Sequence, residues 1–431
     1  MVIPVSRSPR GSRPTIEGPG FLARADLQVL FDFLREDGRR LIGPTVADGS
    51  IIYDDITSVD QLPRGWGDEQ APGRYRLRRR GDERLFGYVV GPTAWKKWTF
   101  PALIPLTRAT HDGHKVSFEP EQATPPKLAF LGARACEIAA LGIQDRVLIG
   151  TEFIDPDYMV RRANVFVVAV QCTTSASTCF CTSMGTGPEV TDGFDLSLTE
   201  LDAGFLVDSG TPAGRAVLER LPLRPASAAE QYGVAATVAA VRARIGDPVP
   251  TDGIHDRLLA QLDHPRWAQV AERCITCGNC TLACPTCFCT TLTQTTDLTG
   301  ENAVASRSWD SCFSPGFAKV AGGSFRARPR DRYRQWLTHK FATWWDQFCT
   351  SVVERSDLDG KTSSTERQWD SCFDVAFAKV AGGDFLARPR DRYRQWLTHK
   401  FASWWDQLGQ SGCVGCGRCI TWCPVGIDVR D

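Results

Sequence analysis

Six of the sixteen residues from Cys274 to Cys289, CITCGNCTLACPTCFC, are cysteine, and a second run, CVGCGRCITWCP, spans Cys413 to Pro424. Thiols at this density constrain the fold before any helix or strand does, because they must either pair as disulfides or converge on metal. The chain has 17 cysteines in 431 residues: four at 136–181, six at 274–289, four at 413–423 and three elsewhere. Lys plus Arg and Asp plus Glu number 50 each, so the net charge is zero. A nucleic-acid partner would call for a basic excess. Residues 1–20 are basic and rich in Pro and Gly, with no apolar core, and read as a flexible leader rather than a signal peptide. The most apolar stretch, ANVFVVAVQC at 163–172, is far too short to span a bilayer. A cytoplasmic location follows as the expectation, and cytosolic thiols stay reduced. Metal binding is then the expected use of the cysteines.

Their spacing is specific. Cys274, Cys277, Cys280 and Cys284-Pro285 fit C-x2-C-x2-C-x3-C-P, and Cys413, Cys416, Cys419 and Cys423-Pro424 fit it again. Three thiolates at spacing three can wrap one tight turn round a 4Fe–4S cube, with Gly278 and Gly415 or Gly417 allowing close approach. In two-cluster ferredoxins the fourth cysteine of such a run ligates the other cluster. This assigns one cluster to Cys274, Cys277, Cys280 and Cys423, and a second to Cys413, Cys416, Cys419 and Cys284. The alternative is a pair of zinc sites in a scaffold with no redox role. Zinc sites of this kind usually use two separated C-x2-C pairs.

The N-terminal half holds a further set: Cys136 in LGARACEIAA, and Cys172, Cys179 and Cys181 in VQCTTSASTCFCTSMGTGP. Placed at the ends of two strands, these four can meet at one site. A third 4Fe–4S cluster is the preferred reading, with a zinc site or unligated thiols as the alternatives. Cys287, Cys289, Cys312 and Cys372 read as small buried hydrophobes, with residues that line the cluster environment as the alternative, and Cys349 as a duplicated image of Cys289. No dinucleotide fingerprint, P-loop, H-E-x-x-H or G-x-S-x-G is present, so no catalytic residue is assigned. Substrate chemistry is then expected elsewhere, on another subunit.

The expected fold is α+β. A leader (1–20) precedes an α/β domain (21–205) with strands in GRYRLRRR, RLFGYVV, KLAFLGA and VFVVAVQ and helices in ADLQVLFDFLRED and CEIAALGIQDRVL. A helical bridge (206–270) leads to a mostly α-helical, ferredoxin-like dicluster domain (271–431). That last domain contains a 60-residue tandem repeat, 289–348 and 349–408. Its later forty positions, from Trp309 and Trp369, are identical at 33 places, whereas its first twenty match at six. Within each copy ARPRDRYRQWLTHKFA predicts a helix started by Pro329 or Pro389, with Trp336, Lys340 and Trp344 on one face.

The run CITCGNCTLACPTCFCTT, followed by WDSC, VAGG, HKF and GCVGCGRCITWCP, resembles the β subunit of soluble NiFe sulfhydrogenases. LGARACEIAAL and CTTSASTCFCTSMGTGP are similar to that family's first domain. The resemblance covers roughly residues 85–431. It implies a cytoplasmic electron-transfer subunit that relays electrons between the hydrogenase small and large subunits and a flavin- and NAD(P)-binding subunit. The chain is also similar to the electron-transfer subunit of anaerobic sulfite reductases, which implies an alternative partner complex. One departure is plain: the family has a single WDSC…HKF…WWDQ module between its cysteine runs, and this chain has two.

Overall fold

Every residue of VFVVAV is apolar, the pattern of a strand covered on both faces. In the computed structural model it lies at the centre of an eight-stranded sheet. The structure describes residues 18–121, 124–150, 154–245, 249–261, 264–311, 313, 319–320, 323–324, 328–342, 350–356, 363–369, 379–380, 383–384 and 411–430.

The first half runs β1 (Gly20–Ala23), α1 (Leu27–Glu36), β2 (Arg40–Ala47), β3 (Ser50–Asp55), β4 (Trp66–Ala71), β5 (Arg74–Arg79), α2 (Lys96–Thr99), β6 (Leu103–His111), β7 (Val116–Pro120), β8 (Leu128–Ala133), α3 (Ala135–Leu148), α4 (Pro156–Ala163) and β9 (Val165–Val170). There follow β10 (Leu196–Glu200), β11 (Gly204–Ser209), α5 (Pro212–Leu218), β12 (Arg224–Pro225), α6 (Ala228–Arg244), α7 (Ile254–Ala260), α8 (Arg266–Arg273), α9 (Asn279–Leu282), β13 (Thr290–Thr296), β14 (Asn302–Trp309) and α10 (Pro329–Ala342).

The main sheet has the order β12-β1-β11-β10-β9-β8-β2-β3. Its centre is parallel, with β2 beside β8, β8 beside β9 and β9 beside β10, and its flanks are antiparallel. Period-two alternation divides the core between its faces. Phe166, Val168 and Val170 join Leu27, Leu30, Phe31 and Leu34 of α1 on one side. Val167 and Ala169 pack with Ile138 and Leu141 of α3 on the other. The α1 residues recur at i, i+3, i+4 and i+7, the stripe of a helix laid on a sheet.

A second sheet, β13-β14-β6-β7, joins the two halves of the chain. Strand β14 pairs antiparallel with β6 across about two hundred residues of sequence. Trp309 at its end donates to Phe100 O at 2.9 Å, and Arg307 pairs with Asp155.

Several expectations are corrected. RLFGYVV is not a strand, because its backbone groups find side chains instead of a ladder. Glu200 accepts from Leu85 N and Phe86 N at 2.7 and 2.8 Å, Asp68 accepts from Val89 N at 2.7 Å, and Arg134 donates to Phe86 O and Tyr88 O. The α/β unit does not stop at 205, since β11 and β12 belong to its sheet. Pro265 separates α7 from α8 at the end of the expected helical bridge. Among the described residues the C-terminal region carries more strand than helix, because the Thr-rich TTLTQTT and NAVASRSW form a hairpin. The hairpin at Thr350–Ser356 and Ser363–Trp369 repeats its register sixty residues later. Helix α10 starts at Pro329 as expected. The side chains of Trp336, Lys340 and Trp344 lie outside the described residues, as do Cys312, Cys349 and Cys372.

Candidate metal centres

Each of the three cysteine sets lines a cavity of its own. At the first site Cys274 closes α8, Cys277 follows in the loop, Cys280 sits in the first turn of α9, and Cys423 arrives from the C-terminal run. Thr276 at φ 55 and Gly278 at φ 76 give the loop its tight left-handed bend. Phe313 and Tyr333 of the first repeat copy wall the cavity. The first copy therefore contributes to the surroundings of these cysteines. Burial, followed by the charges of Cys419, Cys280, Cys274 and Cys423, pushes the Tyr333 hydroxyl well above its ordinary range.

The second cavity is lined by Cys284, Cys413, Cys416 and Cys419, with Phe180, Thr286 and Val414 around them. Cys284 lines this cavity, whereas Cys423 lines the first. Gly415 N donates to Cys413 Sγ at 3.5 Å and, at the first site, Ile427 N to Cys423 Sγ at 3.3 Å, while Cys284 Sγ and Thr286 Oγ1 share a hydrogen bond of 3.1 Å in which either can donate.

The third cavity is lined by Cys136, Cys172, Cys179 and Cys181. Cys136 stands in the first turn of α3, directly after β8, and Cys172 two residues beyond β9. Both lie at the carboxyl ends of parallel strands, where side chains of an open sheet converge. Burial pushes all four thiols above their usual range, Cys179 to about 12. For Cys136 the charges of Cys416 and Cys181 add to burial, and for Cys172 the nearby Arg134 opposes it.

The three cavities adjoin one another. Cys419 lines both the first and the second, and Cys416 both the second and the third. Each cavity thus brings together the four thiols of its set, the number that one cubane cluster takes. All described cysteines are free of disulfides. The polar surroundings fit a group rich in acceptors. Arg418 pairs with the equally buried Glu137, and the buried Arg134 guanidinium donates to the carbonyls of Gln171, Phe86 and Tyr88. Among the described residues, Arg134 Nε, Arg418 Nη1, Thr173 Oγ1 and Ser175 Oγ are buried without a hydrogen-bond partner, and buried polar atoms seldom go unpaired.

A family model described as a 4Fe-4S dicluster domain matches residues 273–353 and again 347–427. Sulfhydrogenase 2 subunit beta of Pyrococcus furiosus is 35% identical over 308 residues, which cover 70% of this chain and 82% of that protein. The chain belongs to the sulfhydrogenase β-subunit family. No solved structure matches it. Within this sulfhydrogenase β-type chain, the first family-model match holds the 274–284 cysteines with one repeat copy, and the second holds the other copy with the 413–423 cysteines. The duplication thus lies between the two cysteine runs and leaves each run single.

Sequence reasoning missed the charged lining of the sites. Arg134, Glu137 and Arg418 flank the cysteines within the motifs themselves, and their adjacency to Cys136, Cys416 and Cys419 was the available signal. The role given to the glycines also changes. A Cβ on Gly415 would stand 2.6 Å from the Phe180 carbonyl, and one on Gly417 would stand 2.3 Å from Thr178 O. These glycines seat the C-terminal loop against the loop that carries Cys179 and Cys181. Phe180 N donates to Gly415 O at 2.9 Å, and Thr186 Oγ1 to Val414 O at 2.6 Å. Cys287 and Cys289 lie 5% and 4% exposed within apolar clusters, as small hydrophobes do.

Proposed function

We propose that the chain is the iron–sulfur electron-transfer subunit of a cytoplasmic NiFe hydrogenase linked to NAD(P). It connects a flavin-bearing subunit with the hydrogenase small and large subunits. The observation that carries this reading is the row of three four-cysteine cavities joined through Cys419 and Cys416. Likeness to the named sulfhydrogenase subunit supports the hydrogenase assignment.

On this reading Cys274, Cys277, Cys280 and Cys423 hold one cubane, Cys284, Cys413, Cys416 and Cys419 a second, and Cys136, Cys172, Cys179 and Cys181 a third. When bound, each supplies a one-electron carrier whose potential follows its hydrogen bonds and exposure. The chain's own residues present the thiolates, aim N–H donors at sulfur, and close the second and third cavities to water with Phe180, Val414 and Ile245.

Anaerobically purified protein should contain on the order of 12 irons with matching acid-labile sulfide, at four irons per cubane. About 8 would remove the third cluster, and stoichiometric zinc without sulfide would remove the relay altogether. Co-purification with a flavoprotein and a hydrogenase pair is the expected partner result. A complex with a siroheme protein would reassign the partners to a sulfite reductase.

A further inference from the structure

Arg418 and Glu137 form an ion pair that nothing in the ligand sets requires. Arg418 lies between Cys416 and Cys419, and Glu137 follows Cys136, so the pair bridges the loops of the second and third cysteine sites. Both side chains are fully buried. The guanidinium is fixed from several directions: Nη2 meets Glu137 Oε1, Nε donates to Gly91 O at 2.8 Å, and Nη2 donates to Thr93 O at 3.1 Å. The other oxygen of Glu137 accepts from Tyr53 Oη at 2.7 Å and from Arg134 N at 3.1 Å. One atom is left over, because Arg418 Nη1 is buried with no hydrogen-bond partner among the described residues. A buried N–H left unpaired costs roughly 1–3 kcal/mol, so its retention calls for an acceptor at the site.

We propose that this pair sets the reduction potentials of the second and third cysteine-held groups, Arg418 raising them and Glu137 lowering them. The inference rests on the iron–sulfur reading above. Gaining an electron adds negative charge, which a fixed cation favours and a fixed carboxylate opposes. In a buried, weakly screened setting both act over several ångströms. The charges of Cys416 and Cys136 reach the Arg418 guanidinium, and a donor to sulfur is a further lever on potential. The first site borders solvent at Cys277 and Ile275, where water screens the pair. Arg418 is a tuning residue, since it supplies no ligand atom.

The test is an EPR-monitored redox titration of the full chain, purified anaerobically, with iron and sulfide counted on every sample. Arg418→Gln should shift the second and third potentials negative, Glu137→Gln should shift them positive, and Arg418→Lys should stay near the parent. A tenfold change in the reduction equilibrium corresponds to about 59 mV for one electron. Opposite shifts from two neutralising variants would not follow from loosened packing. Should Arg418→Gln lose iron, the Glu137→Gln and Arg418→Lys titrations still decide. Iron-replete variants with unmoved potentials, or shifts of one sign in both, overturn the inference and leave the cluster reading intact. A parent protein without iron and sulfide would instead fail that reading itself.

Discussion

At the first cysteine site Cys277 is exposed and its neighbour Ile275 is 60% exposed, whereas at the third Cys136 and Cys181 are buried beneath Val241 and Ile245. The first is built from one turn of chain plus a single residue from the C-terminus. The third gathers its thiols from the ends of two parallel strands in the middle of a sheet. A thiolate near solvent keeps part of its hydration. One beneath a sheet loses it, and the chain answers by placing Arg134 beside Cys172. Depth of burial, rather than ligand type, separates the two sites.

The strongest way to break this comparison is to remove one ligand from each. Cys423→Ser and Cys136→Ser should each lower iron by about four atoms and erase a different EPR signal. If the Cys423→Ser loss maps to the Cys413 loop, the crossed ligation is wrong. Next in size are the glycines. Gly417→Ala places a methyl group 2.3 Å from Thr178 O at φ 73, and should cost about 3 kcal/mol or more in anaerobic urea unfolding. Gly278→Ala, at φ 76 with its nearest neighbour Ser311 Oγ at 3.3 Å, should cost about 1–2 kcal/mol. Equal losses would mean that the two loops are equally crowded.

Chelator challenge sharpens the contrast in exposure: iron should leave the first site before the third, followed by EPR over time. Proton release gives a smaller effect. Burial holds the thiols of the third site above their usual range, and ligation requires thiolate, so iron capture there should strengthen as pH rises from about 6 to about 9. The same shifts run the other way for the metal-free fold. Its thiols keep protons that the unfolded chain releases above about pH 8.5, so its stability should fall beyond that pH. The smallest effect is expected from deleting 349–408. Phe313 and Tyr333 of the first copy line the first site, so iron content should not change. The shortened connection alters loop-closure entropy by only about 0.6 kcal/mol.

The two C-x2-C-x2-C-x3-C-P runs were legible because local spacing alone marks a 4Fe–4S dicluster family. The third set was half legible. Cys136 after KLAFLGA and Cys172 after VFVVAVQ marked strand ends, but nothing in one dimension says that β8 and β9 are neighbours. RLFGYVV misled because apolar and β-branched content predicts a strand, while Glu200, more than a hundred residues away, claims the backbone donors. Gly415 and Gly417 announced close approach without naming what approaches.

The sequence by itself determined the two cysteine runs with their dicluster family and the helices set by short-range periodicity, since each rests on residues within a turn or two, and it showed the duplication by plain identity at a period of sixty residues. Only the tertiary structure decided that the three sites adjoin through Cys416 and Cys419, that the first repeat copy contributes to the surroundings of the first site, and that Arg418 meets Glu137 across 281 residues. Those facts depend on which distant surfaces bury one another, and burial is a property of the packed chain.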